Sequence, residues 1–253
     1  MDHDIKLDHG YGSGRSQMRI LGLSDVHAPV FLKELKEASG ECGDADLLLL
    51  AGDIVDRGRI EYYGEVIDVL SSTGARIVAV FGNDEFDDLK DELRRNLADV
   101  LFLDDESTFL NIDGTTIGIV GSRGSLELPT VWQRRKLPNI GRIYEDRVRF
   151  IGGMLKEMRD KVDISILLTH YATTMKTLKG ENPRTWRYLG HRGFERYLQD
   201  GLVDLAVHGH SHNGTRFASV GKAIVYNVAF PLWRRVVSIS LKGGVTVEEY
   251  FEG

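Results

Sequence analysis

From residue 19 the chain alternates between short apolar runs and segments whose apolar positions recur every three or four residues, with a polar loop after each run. Residues 19–23 have strand length and alternate weakly, whereas 47–50 read Leu-Leu-Leu-Leu, the pattern of a strand buried on both faces. Between them Phe31, Leu32, Leu35 and Ala38 share one helical face, which predicts a helix over 30–38. A helix over 61–71, a strand over 76–80 and a short helix over 88–97 continue the alternation. Such alternation predicts parallel strands joined by helical crossovers.

After residue 100 the pattern turns to hairpins. Runs 109–112 and 115–120 flank Asp113-Gly114, a two-residue turn signal. Residues 144–159 carry a helical period, and 164–168 and 202–207 return to buried strands. The tail holds candidate strands at 216–220, 223–228, 236–241 and 245–251, read as antiparallel from the glycines between them. This many strands are best covered by two mixed β-sheets packed face to face with helices outside, a four-layer αββα sandwich of the α/β class. Residues 18–253 read as one domain. Residues 1–17 have no apolar period and end in a glycine-serine cluster, so they read as an expression remnant or disordered tail, and His3 and His9 with them.

Composition narrows the class. With 42% hydrophobic and 28% charged residues, the 253-residue chain is of ordinary globular type. No apolar run approaches the ~20 residues that span a bilayer, no signal-peptide pattern opens the chain, and no membrane partner is expected. Cys42 is the single cysteine, which rules out an internal disulfide and fits a cytoplasmic location. A net charge of −6 argues against a protein that coats nucleic acid without sequence preference. Oligomeric state stays open, a homo-oligomer included.

The chemistry gathers in loops that follow predicted strands. They are Ser24-Asp25-Val26-His27, Gly52-Asp53-Ile54-Val55-Asp56-Arg57, Gly82-Asn83-Asp84-Glu85, Thr169-His170, and His208-Gly209-His210-Ser211-His212. Loops beyond the carboxyl ends of parallel strands can converge on one rim, where ligands bind. These loops offer carboxylates, imidazoles and one amide without a thiolate, a donor set suited to manganese, iron, zinc, nickel or cobalt. Each loop alone is weak evidence, since a strand-end Gly-Asp or His is usually structural. Their joint occurrence is not.

In their order these loops resemble the calcineurin-like metallophosphoesterase superfamily from Asp25 to His212, whose motifs run Asp-x-His, Gly-Asp-x-x-Asp-Arg, Gly-Asn-His-Asp/Glu, a strand-end His and Gly-His-x-His. The resemblance implies two divalent metal ions, manganese first among them. One would take Asp25, His27 and His212, the other Asn83, His170 and His210, with Asp53 bridging. It implies hydrolysis of a phosphodiester or nucleotide-like phosphate ester through a metal-bridging hydroxide. Asp56 and Arg57 match the family's Asp-Arg pair and are expected to organise hydrogen bonds around the metal loops. The family usually has His after Gly-Asn, where it assists the leaving group; this chain has Asp84, which puts leaving-group protonation in question. His208 could take part in catalysis or order the His210–His212 loop, and His191 reads as a surface residue.

Two basic insertions with aromatics, residues 132–149 and 176–196, are either substrate contacts or solvated faces. Arg184 and Arg187 in the second are the substrate-binding candidates. Two other readings compete with a phosphoesterase: a metal-dependent nuclease, and a non-catalytic scaffold that keeps the fold while losing ligands.

Overall fold

The computed structural model describes residues 18–40 and 42–241. Residues 1–17 with His3 and His9, and the candidate strand 245–251, lie outside the described residues.

Eleven strands and seven α-helices alternate along these residues. They run β1 (Ile20–Leu23), α1 (Leu32–Ser39), β2 (Leu47–Leu50), α2 (Tyr63–Leu70), β3 (Arg76–Val80), α3 (Lys90–Asn96) and β4 (Val100–Leu103). Then come β5 (Glu106–Ile112), β6 (Thr115–Ser122), α4 (Val131–Lys136), α5 (Ile140–Arg159) and β7 (Ile164–Thr169). The last are α6 (Glu195–Gln199), β8 (Leu205–His208), β9 (Phe217–Val220), β10 (Ala223–Asn227), α7 (Phe230–Trp233) and β11 (Val237–Ile239).

One sheet has the order β11-β1-β2-β3-β4 and the other β5-β6-β7-β8-β10-β9. Both are mixed: β1 to β4 are parallel with β11 antiparallel, and β6-β7-β8-β10 are parallel with antiparallel edges. The expected α/β sandwich is observed. Alternation along the strands builds three apolar layers. Leu47 and Leu49 face Ile119, Ile166, Leu168 and Val207 of the second sheet, while Leu48 and Leu50 face Leu35, Tyr63 and Val66 of the helices outside. On the far side Leu167 and Ala206 meet Ile151 and Leu155 of α5. The unbroken Leu-Leu-Leu-Leu run therefore reflects a strand with apolar layers on both faces.

Three details depart from the sequence reading. β4, an added edge strand, was not foreseen; its Leu101 is exposed. Nor was α4, although Thr130 and Gln133 form a complete capping box at its start. The tail is not one antiparallel meander. β9 and β10 pair antiparallel, but β10 runs parallel to β8, and β11 leaves for the other sheet beside β1. Those pairings are non-local, and glycine turns do not encode them.

Candidate metal centre

Strands β1, β2 and β3 of one sheet and β7 and β8 of the other end at a common rim. The backbone of the loops beyond them is stitched together: Asp25 N–H donates to Gly52 O at 3.0 Å, His27 N–H to Asp53 O at 3.0 Å, and Gly209 N–H to His170 O at 3.1 Å. The glycines permit this closeness. A Cβ on Gly82 would stand 2.1 Å from Asp53 Oδ1, and one on Gly209 would stand 2.3 Å from Asp25 Oδ2. Asp25, His27, Asp53 and His210 all adopt positive φ, between 44° and 67°. Each such residue costs on the order of 1–2 kcal/mol, and this kind of strain is characteristic of functional loops.

All seven candidate ligands meet there. His170 Nε2 lies 3.1 Å from Asn83 Oδ1, 3.1 Å from His210 Nδ1 and 3.3 Å from Asp53 Oδ2. Asp25 Oδ1 lies 3.0 Å from His212 Nε2 and 3.8 Å from His27 Nε2. Donor atoms bound about 2.1 Å from one ion stand about 3.0–3.4 Å apart, so these spacings have the size of coordination edges. The chemistry agrees. His170 Nδ1–H donates to Ala51 O at 2.9 Å, which turns Nε2 towards an amide oxygen, a carboxylate and another ring nitrogen. A cation reconciles such a convergence. Among the described residues, carboxylate and imidazole atoms within 4.8 Å of one another form three overlapping groups: Asp25-Asp53-His170-His210, Asp25-His27-His212, and His27-Asp53-Asp84.

The electrostatics have the same origin. Burial works against ionising Asp25, but contact with His212, the charge of His170 and the Ser24 hydroxyl hold its carboxyl well below the usual range. Burial alone would lower the His170 imidazole, yet Asp53 and Asp25 push it up to about 9. His210 is pushed down to about 4 by burial and by the neighbouring His170 charge. One proton is thus held where two imidazoles face each other.

The supporting residues divide sharply. Asp84 Oδ2 accepts from His27 Nδ1–H at 3.2 Å and from Arg57 N–H at 3.2 Å, while its own N–H donates to Asp53 Oδ1 at 2.7 Å. Burial opposes ionisation of Asp84, but these contacts hold its carboxyl below the ordinary range, so it is an acceptor and orients His27. Asp56 lies 3.8 Å from Arg59, and the Arg57 side chain is exposed; the backbone of Arg57 is what reaches the loops. His208 is fully buried, with Nδ1–H donating to Gly209 O at 2.8 Å and Nε2 2.8 Å from Thr177 Oγ1. Burial pushes it down to about 4, and it braces the His210–His212 loop as a neutral ring.

Sequence reasoning missed Glu85 as a structural residue. Its fully buried carboxylate accepts from the N–H groups of Gly82 at 2.6 Å, Asp53 at 2.9 Å, Ile54 at 2.8 Å and Val55 at 3.3 Å. It clamps the β2 and β3 loops together. Arg123, one residue past β6, was missed too: Nη2 donates to Glu85 O at 3.0 Å, and its guanidinium pairs with Asp87 at 3.0 Å. His191 is a correction. It is 6% exposed, accepting from Gly193 N–H and lying 3.2 Å from Glu145, so it ties its loop to α5 and is no surface residue.

The second basic insertion meets the first through His191 and Glu145, and meets the segment just ahead of the first through Glu127 and Leu128. Leu128 N–H donates to Arg187 O at 2.8 Å, and Glu127 takes Arg192 at 2.5 Å and Arg187 at 3.6 Å. Arg187 is thus already partnered, while Arg184 is exposed.

Comparison with known proteins agrees with this geometry. The family model described as calcineurin-like phosphoesterase matches residues 18–214. Among curated protein sequences none matches. The fold is similar to that of phosphopantetheinyl hydrolase from Mycobacterium tuberculosis, at 16% identity and a TM-score of 0.65, covering 90% of this chain and 98% of that one. It is also similar to TT1561 of Thermus thermophilus, at 15% identity and a TM-score of 0.57, covering 90% of this chain and 100% of that one. A protein assigned as a 5'-nucleotidase from Staphylococcus aureus has 16% identity and a TM-score of 0.57, with 83% of this chain matched to 48% of that one. By a family match over most of its length and by the convergence of its strand-end loops, the chain belongs to the calcineurin-like phosphoesterase family and is a phosphoester hydrolase.

Proposed function

We infer that the protein hydrolyses a phosphodiester or nucleotide-like phosphate ester at a centre of two divalent cations. One set of ligands would be Asp25, His27 and His212, the other Asn83, His170 and His210, with Asp53 shared. The observation that carries this reading is Asp53. It is buried and reaches towards His170 with Oδ2, while Oδ1 is fixed by Asp84 N–H. A single carboxylate lying between two donor groups is what sets the separation of two cations. Bound there, the cations would supply a hydroxide near neutral pH and neutralise charge growing on the phosphoryl oxygens.

The residues of the chain do the rest. His170 and His210 are preset by buried contacts, Asp84 fixes the ring of His27, and Glu85 holds the loops that carry Asp53 and Asn83. The donor set without thiolate favours manganese, with nickel, cobalt, iron or zinc as substitutes. Fold neighbours named as a phosphopantetheinyl hydrolase and a nucleotidase support a phosphate ester borne by a larger organic group. Arg184 is the cation we assign to that group. The intact ligand set weighs against a scaffold that has lost its metals, and buried Cys42 is compatible with the cytoplasm.

The test crosses Mn, Ni, Co, Zn and Mg with mono- and diester substrates on purified protein, with metal content measured in parallel. We expect close to two ions per chain and the highest turnover on diesters with Mn. Saturation at one ion, or no hydrolysis with any metal, sinks the reading.

A further inference from the structure

Half of the large apolar side chains exposed among the described residues lie in one short stretch. Val131 is 54% exposed, Trp132 62%, Leu137 42% and Phe150 56%, against four others spread over the rest of the molecule. The same stretch is the most basic part of the protein. From Val131 to Phe150 there are six cations, Arg134, Arg135, Lys136, Arg142, Arg147 and Arg149, against two acids, Glu145 and Asp146, in a chain of net charge −6. Lys136 Nζ lies 4.5 Å from the centre of the Trp132 ring, so apolar body and cation occupy one face.

Charge continues along the outside of α5. Arg142, Arg149 and Lys156 are spaced seven residues apart and so share a face. An open groove follows, lined by Arg149, Gly153, Lys156 and Arg196. A Cβ on Gly153 would meet nothing within 4 Å, although glycine disfavours a helix interior. Asp146 and Asp200 neutralise part of this stripe, so the densest positive charge is at α4.

α4 also has a definite place. β6 and β7 are parallel, so the crossover between them leaves from their carboxyl ends, the rim that carries His170. Gln133 of α4 donates to Tyr144 OH at 3.0 Å, the Tyr144 ring packs edge-on against Tyr171, and Tyr171 packs edge-on against His210. The exposed helix is therefore three side chains away from the candidate metal centre.

We propose that α4 and the outer face of α5 dock on an anionic lipid bilayer, holding the edge of the catalytic cleft at the membrane surface. Interfacial binding needs apolar side chains that enter the headgroup boundary beside cations that meet the lipid phosphates. A tryptophan and a long cationic side chain suit that boundary because each has an apolar body and a polar end. Nucleic acid fits less well. It would use the cations and Trp132, but the exposed aliphatics Val131 and Leu137 have no role in stacking on bases or contacting phosphate. The net charge of −6 opposes approach of the acidic faces to the same bilayer, and the second basic insertion lacks the exposed apolar side chains of this one. That no helix among the described residues is long and apolar enough to cross a membrane concerns spanning, not docking.

The test is co-sedimentation of the full chain, loaded with manganese, with phosphatidylcholine vesicles and with vesicles that also contain phosphatidylglycerol. We expect binding to the anionic vesicles only, released by salt, with a blue shift of Trp132 fluorescence. Each cation near such a surface is worth about fivefold in partitioning, from about 1 kcal/mol apiece. The triple variant Arg134→Glu/Arg135→Glu/Lys136→Glu should therefore bind at least about a hundredfold more weakly, with an unchanged far-UV spectrum and melting midpoint. Trp132→Ala should abolish the blue shift and weaken binding without altering the salt dependence. The proposal fails if wild type ignores anionic vesicles at low salt, if the triple variant binds as wild type does, or if a duplex oligonucleotide displaces the vesicles. The last result would assign the face to nucleic acid.

Discussion

The two halves of the candidate centre are built differently. Around His170 the imidazoles are held by the fold, although Asn83 is exposed: the His170 ring is fully buried, Ala51 O fixes its tautomer, and Tyr171 packs against both His170 and His210. Around Asp25 the carboxylate is buried, but its partners His27 and His212 are 16% and 39% exposed and meet edge-on at 5.5 Å. The inner half is shaped by the fold, the outer half by the ligands themselves. An ion in the inner half should therefore bind more tightly and exchange more slowly than one in the outer half.

Asp53 joins the halves, and breaking it should have the largest effect. Asp53→Asn removes the shared charge and leaves the shape. Hydrolysis should fall by more than the ~10–100-fold carried by residues that merely orient ligands, with the fold retained. Turnover near wild type with metal bound would remove Asp53 from the role of bridge.

The halves can next be separated. His170→Ala should lower both metal content and thermal stability, since it empties a fully buried position, at roughly 2–4 kcal/mol. His212→Ala should cost about one ion per chain and less than about 1 kcal/mol of stability, as expected at a half-exposed position. Melting curves and metal analysis on both variants decide it. Equal losses from the two variants would erase the distinction between inner and outer halves.

The smallest effect belongs to Asp84. Since its carboxyl is held ionised by His27 and Arg57 N–H, it donates no proton, and leaving-group quality should matter strongly. We expect a steep dependence of log kcat/KM on leaving-group pKa in wild type. Asp84→Asn should bind the outer ion about tenfold more weakly with the slope unaltered. A flat line in wild type that becomes steep in the variant would mean that Asp84 was supplying the proton after all.

Much of this was readable from the chain. Buried strands such as Leu47–Leu50 announce themselves because both faces are apolar, and the ligands do so because each stands just past a strand. What stayed hidden depends on partners distant in sequence. Glu85 looks like any acid in a turn until three N–H groups from more than twenty-nine positions away point at it. Arg123 and His191 take their meaning from Glu85 and Glu145. The parallel pairing of β10 with β8 likewise leaves no local mark. α4 is different: its Thr130–Gln133 capping box is legible in the sequence, but the six-residue helix behind it buries no side chain and so carries no apolar period.

Glu127 has a further consequence for how such a molecule can change. It is the common anchor of Arg187 and Arg192, while Leu128 N–H reaches Arg187 O, so each rim insertion is part of the other's support. The Glu85 carboxylate bonds only to the β2 and β3 loops, and its backbone carbonyl takes Arg123 just ahead of the first insertion. Anyone wishing to retarget this hydrolase to a new ester would do well to keep Arg123 on Glu85 and transplant residues 124–139 and 174–196 from a donor as a matched set. Grafting one alone would strand Glu127 or the arginines it holds, whereas the pair could be exchanged while the floor that carries the chemistry stays in place.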